Sequence, residues 1–239
     1  PLNGSEAAAD KESAELLAGF GRTRAATGHQ LELPEAISTL ARALDYFIEV
    51  GDVEQAVALA EVPVFSQAAL NTGIATLISR ALSVVPPDSH AAGRLLARYG
   101  NVLGLEVGDY SGAQRAIESA LAIAQREQDS ELEMRILADA ARVERYNLRF
   151  DEMLKKAQRA LDLSTGSDAL RVQVMAEGEI TLALYCTGDL EGAHRHAVAL
   201  LNLSERLRDR LYLLAALHYI TIICLSMDEW QAAREFGER

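Results

Sequence analysis

The sequence predicts an all-α protein made of antiparallel helix pairs stacked in register. Three observations carry that expectation. Helix-favouring residue types dominate, with only five prolines and sixteen glycines among 239 residues and few β-branched runs. Apolar residues recur at a spacing of 40, as Tyr110 with Ala113, Phe150 with Met153, Leu190 with Ala193 and Trp230 with Ala233. Ala120, Ala160 and Leu200 keep the same frame, as do Leu121, Leu161 and Leu201, and Ile123, Leu163 and Leu203. Finally, Gly108-Asp109 and Gly188-Asp189 recur at one frame position, with Leu148 and Asp228 standing where glycine is absent. Fixed periods of this length mark repeat architectures, in which each unit buries its apolar side against its neighbour.

The elements follow in chain order. Over residues 1–87 the repeat is irregular, with helices expected at roughly 5–27, 34–50, 53–62 and 70–85. Gly51-Asp52 repeats the Gly-Asp pattern out of frame, Pro63 breaks the chain, and Pro86-Pro87 stops the fourth helix. How these four helices pair is not fixed by the pattern. Residues 88–239 continue as regular pairs: 90–107 with 110–126, 130–148 with 150–164, 168–187 with 190–207, and 209–226 with a helix from 229 onward. Glycine at 108 and 188 permits the left-handed conformation that closes a helix, and Asp109 and Asp189 can then cap the next one. Ser130 with Glu133 reads as a capping box, and Ser167 as a further cap. Alanines 113, 120, 160 and 193 suit close helix approach. The opening PLNGSEAAADKESAE and a last helix that stops at Arg239 fit a piece of something longer.

Composition excludes several classes of function. A formal charge of -12 with no basic stripe argues against nucleic acid and against an anionic membrane. The most apolar stretch, 211–227, is shorter than the roughly 20 residues of a spanning helix and carries His218, Thr221 and Ser226, so a buried core helix is expected. Cys186 and Cys224 sit in apolar helical segments as buried thiols, which points to a reducing, cytoplasmic setting. No phosphate loop, dinucleotide fingerprint or other cofactor motif is present, so neither a cofactor nor an enzyme is expected. His194 and His196 are too close in sequence to share a helix face, so they predict no metal centre.

The order glycine, acidic, aromatic, two variable residues and alanine, followed by alanine-leucine, resembles the second half of a tetratricopeptide repeat. Ala81-Leu82 to Pro86 is similar to that repeat's ending, and the resemblance covers about residues 34–239. The first half departs from the family, since Ala97, Leu137, Glu177 and Leu217 stand where it prefers an aromatic near the start. Degenerate arrays of this kind resemble the sensor arms of large bacterial signal-transduction ATPases, including LuxR-type regulators similar to the maltotriose-responsive activator. The resemblance implies a right-handed α-solenoid with a concave face lined by the first helix of each pair. It also implies a non-enzymatic binding module within a signalling or transcriptional regulator. The expected partners are a protein, a peptide or a small inducer on that face. A rival reading is a structural scaffold for self-association.

On the first helices, Arg135, Asp139 and Arg142 share a stripe that Arg145 and Tyr146 extend. Neighbouring units would present Arg98, Glu179, Tyr185, His218 and Tyr219. Arginine and tyrosine clusters suit a carboxylate, a peptide or a sugar. Yet Glu131, Arg135, Asp139 and Arg142 also form an ordinary charge ladder on a solvated helix.

Overall fold

The computed structural model describes residues 8–27, 30–64, 71–164 and 169–239, and within them every regular element is helical. The chain divides into two compact units, 1–127 and 128–239.

The first unit contains α1 (Lys11–Thr27), α2 (Leu33–Glu49), α3 (Val53–Ala60), α4 (Ile74–Leu82), α5 (His90–Val102) and α6 (Tyr110–Arg126). The pairing left open by the sequence is now defined: α1 packs on α2, α3 and α4 pack on α2 and on each other, and α5 pairs with α6. Phe47, Leu17, Leu40, Leu44, Leu59, Ile74, Leu77, Ile78 and Leu95 are among its large, fully buried side chains. Gly100 sets the approach of α5 to α6, because a Cβ there would lie 2.7 Å from Ile117 Cγ1 and 3.0 Å from the Ala113 carbonyl oxygen. Between Leu103 and Val107, α5 widens into a π-helical turn before Gly108 closes it in the left-handed region. That turn carries the buried Glu106, whose Oε2 accepts from the Thr72 backbone N–H at 2.9 Å and from its hydroxyl at 2.7 Å. The hydroxyl oxygen in turn accepts from Ile74 N–H at 3.3 Å, so one carboxylate ties the end of α5 to the start of α4.

The second unit contains α7 (Ser130–Tyr146), α8 (Phe150–Leu163), α9 (Leu170–Thr187), α10 (Leu190–Leu207), α11 (Arg210–Ser226) and α12 (Trp230–Gly237). Successive helices pack on each other, and α7, α9 and α11 also touch in series, with no comparable contact between α8 and α10. The first helices therefore form one continuous face of this unit. Met153, Ala157, Ile180 and Ala183 fill one layer of its core, and Ala197, Ile220, Ile223 and Cys224 fill another. Alanines 113, 120, 160 and 193 are all fully buried, as close helix packing requires.

The register is finer than the spacing of 40 suggests. From α6 onward a helix begins every 20 residues, at 110, 130, 150, 170, 190, 210 and 230. Two residues before most of these starts the backbone turns left-handed, with φ of 76° at Gly108, 56° at Gln128, 56° at Leu148, 91° at Gly188, 57° at Arg208 and 61° at Asp228. The next residue is then placed to cap. Asp109, Asp129 and Asp189 accept from the backbone N–H three residues on, at 2.8, 2.9 and 2.8 Å, and Asp209 from Leu211 N–H at 3.1 Å.

Three expectations need correction. Asp129, not Ser130, caps α7, because the left-handed Gln128 puts residue 129 at the cap and makes Ser130 the first helical residue; Ser167 lies outside the described residues. The apolar α11 is buried on one side only, through Ala216, Ile220, Ile223 and Cys224, while Leu211 and Leu214 are exposed. Cys186 is exposed, since it occupies the same frame position as Tyr146 and Ser226 at the open end of a first helix. Among the described residues no helix is long and apolar enough to cross a membrane.

Candidate functional site

Asp139, Glu179 and Tyr219 hold one frame position on α7, α9 and α11, and so form a row across the first-helix face. Arg142, Arg145 and Tyr146 project from α7 one to two turns further on. The Arg145 guanidinium closes the group: its Nη1 lies 3.2 Å from Glu179 Oε1. Its Cζ is 5.0 Å from the centre of the Tyr146 ring, and it also interacts with the Tyr219 side chain.

Glu179 is the unusual member. It is buried, and its Oε2 has no hydrogen-bond partner. Burial pushes its carboxyl above the ordinary carboxylate range, Arg145 and Arg142 pull it back, and Asp139 adds to the rise. Burial likewise raises the Tyr219 hydroxyl, against the pull of Arg145. For Arg145, burial opposes the charge, but Glu179 and the two tyrosines outweigh it and hold the guanidinium protonated. A buried acceptor left unpaired costs about 1–3 kcal/mol, and Glu106 Oε1, Thr181 Oγ1 and Ser204 Oγ are unpaired in the same way.

Next to this row, α7 and α9 part to leave a cavity of about 660 Å³. Arg135, Ala138 and Asp139 line it from α7, and Arg171, Val172 and Met175 from α9. Its end at Met175 is one helical turn from Glu179. The arrangement offers an apolar floor, cationic and anionic walls, and a desolvated carboxylate. Such a surface can bind and orient a partner; it does not pair a nucleophile with a base.

The residues singled out from sequence fall into two groups. Asp139, Arg142, Arg145, Tyr146, Glu179 and Tyr219 are brought together, and exposed His218 adjoins them with its ring 5.9 Å from that of Tyr219. Arg135 reaches the cavity while pairing with Glu131 four residues back, which is the charge-ladder contact. Tyr185 stands apart, its hydroxyl 3.3 Å from Ser226 Oγ and its ring against the core between α10 and α11. Arg98 belongs to the first unit and donates to the Val62 carbonyl. Sequence reasoning missed Arg171, Val172 and Met175, which hold the frame positions of Glu131, Leu132 and Arg135 one unit earlier.

No protein-family model matches the sequence, and no curated protein matches it. Among solved structures, the chain is similar to a signal-transduction ATPase with numerous domains and a tetratricopeptide repeat sensor from Pyrococcus horikoshii. The TM-score is 0.62 at 13% identity, over 94% of this chain and 34% of that one. A MamA double mutant aligns with a TM-score of 0.49 at 18% identity, over 82% of this chain and 96% of that one. The first likeness shows the fold, a tetratricopeptide-like helical repeat, and the chain spans about a third of that protein's length.

Proposed function

We propose that the chain is a non-enzymatic, tetratricopeptide-like binding module, the sensor or interaction region of a larger signalling or transcriptional regulator. Its partner, a peptide, a protein segment or a small inducer, docks on the concave, first-helix face of the second unit. The observation that carries this reading is the convergence of Arg145, Glu179 and Tyr219 from three helices, with one buried carboxylate oxygen left free to accept a donor. Similarity to a sensor-bearing ATPase supports the regulator setting. The test is a thermal-shift screen of short peptides and soluble sugars against wild type, Arg142→Ala and Tyr146→Ala. Compounds that stabilise wild type but neither variant support the reading; compounds that stabilise all three equally oppose it.

Self-association is the second reading. Leu211, Leu214 and Trp230 are 69%, 67% and 65% exposed, whereas the frame equivalents of Leu214, Met134 and Val174, are 4% and 0% exposed. A second copy stacked on α11 and α12 would cover them as the neighbouring unit covers Met134 and Val174. Sedimentation across a concentration series decides it, because a monomer throughout removes this option.

A further inference from the structure

Around the last hairpin, three positions that lie together differ from their equivalents one register earlier. In the preceding register Leu154 of α8, Leu184 of α9 and Asp189 at the cap of α10 border one small cavity, and Asp189 spends its carboxylate on the Gly192 N–H. Forty residues on, the equivalents are His194 of α10, Cys224 of α11 and Glu229 at the cap of α12. Two leucines and a capping aspartate have become an imidazole, a thiol and a carboxylate. Their donor atoms all lie within 4.8 Å of one another. Glu229 makes no side-chain capping bond, which leaves its carboxylate beside the Cys224 thiol.

From this juxtaposition we infer that His194, Cys224 and Glu229 form a binding site for a divalent transition metal of borderline softness, with zinc the best match. Nitrogen, sulfur and carboxylate oxygen are the ligand set zinc takes, whereas a thiolate disfavours magnesium and calcium. Three protein ligands leave a fourth position for water. Tetrahedral zinc with bonds of about 2.0–2.3 Å needs its donors about 3.3–3.7 Å apart, so the trio must draw in by roughly 1 Å. Exposed Glu229 can make that movement by rotamer change, while Cys224 is held in place by Ala193, Ala197, Ile220 and Ile223. Half-buried His194 and exposed Glu229 give the ion its route in from solvent. On ligation the Sγ–H bond breaks, the proton passes to solvent and an Sγ–metal bond forms, with no change of oxidation state. The ion then pins α10, α11 and the start of α12 together.

The test is a titration of the reduced full chain with Co(II), reading the near-ultraviolet thiolate-to-cobalt charge-transfer band, followed by displacement with Zn(II). One cobalt per chain is expected, with the band abolished in Cys224→Ser and retained in Cys186→Ser. Glu229→Gln and His194→Gln should each weaken binding at least about tenfold. Glu229 is exposed, so Glu229→Gln decides the matter even where Cys224→Ser fails to fold. Absence of the band, its survival in Cys224→Ser, or unchanged affinity in both the Glu229 and His194 variants overturns the site.

Discussion

Leu148→Gly should make the protein more stable, against the usual expectation for deleting a leucine. Leu148 closes α7 with φ of 56°, and 73% of the residue is exposed. Holding a residue with a Cβ in that region costs about 1–2 kcal/mol, which glycine avoids. Glycine's freer unfolded chain gives back roughly 0.5–1 kcal/mol, and little apolar burial is lost. The net gain is about 0.5–1 kcal/mol, or roughly 1–4 °C in Tm for a chain of this size. The mirror change is Gly188→Ala at φ of 91°, where an added Cβ meets no atom within 4 Å. Its cost is purely conformational and should be about 1 kcal/mol. Urea unfolding of both variants beside wild type, with unchanged slope, measures the pair. A Leu148→Gly variant destabilised by more than about 1 kcal/mol, or a neutral Gly188→Ala, would refute the idea that one left-handed residue closes each helix.

Other outcomes follow from particular contacts. Asp189→Ala removes the cap bond to Gly192 and should cost about 1 kcal/mol in chemical denaturation. Gly100→Ala drives a Cβ into Ile117 and the Ala113 carbonyl and should cost about 1–3 kcal/mol by the same assay. Glu106→Ala strands the buried Thr72 donors, so the first unit should lose about 1–3 kcal/mol, seen as faster amide exchange at the start of α4. Glu179 supplies a pH signature. Because its folded carboxyl sits above the ordinary 4.5, the native state holds that proton more tightly than the unfolded chain. Its stabilising contribution is full below 4.5 and is lost as pH rises through the raised value. The unfolding free energy measured across that window should decline in wild type and stay flatter in Glu179→Gln; identical profiles would contradict the assignment.

Much of the fold was legible because turn chemistry and burial repeat together. Asp109, Asp189 and the alanines at 113, 120, 160 and 193 announced helix starts and tight packing, and α6 and α10 fall at the expected 110–126 and 190–207. The half-period was hidden because left-handed closure falls on Gln128, Leu148 and Arg208 as well as on glycine, and side-chain type does not report it. Ser130 misled for that reason. Within the site, the stripe from Asp139 to Tyr146 could be read from helical spacing on one element. That Arg145 reaches across to Glu179 and Tyr219, while Arg98 turns back to Val62, depends on how neighbouring helices lie. The trio of His194, Cys224 and Glu229 was invisible for the same reason, since its members come from three helices.

The claim that the first-helix face binds is tested most directly by calorimetric titration of the best peptide or sugar from the screen into four proteins: wild type, Arg142→Ala, Tyr146→Ala and Lys155→Ala. Lys155 is exposed on α8, where it pairs with Glu152. A loss of at least about tenfold in affinity for the Arg142 and Tyr146 variants, with Lys155→Ala unchanged, is the predicted result. Equal affinity in all four, or a loss confined to Lys155→Ala, would contradict it.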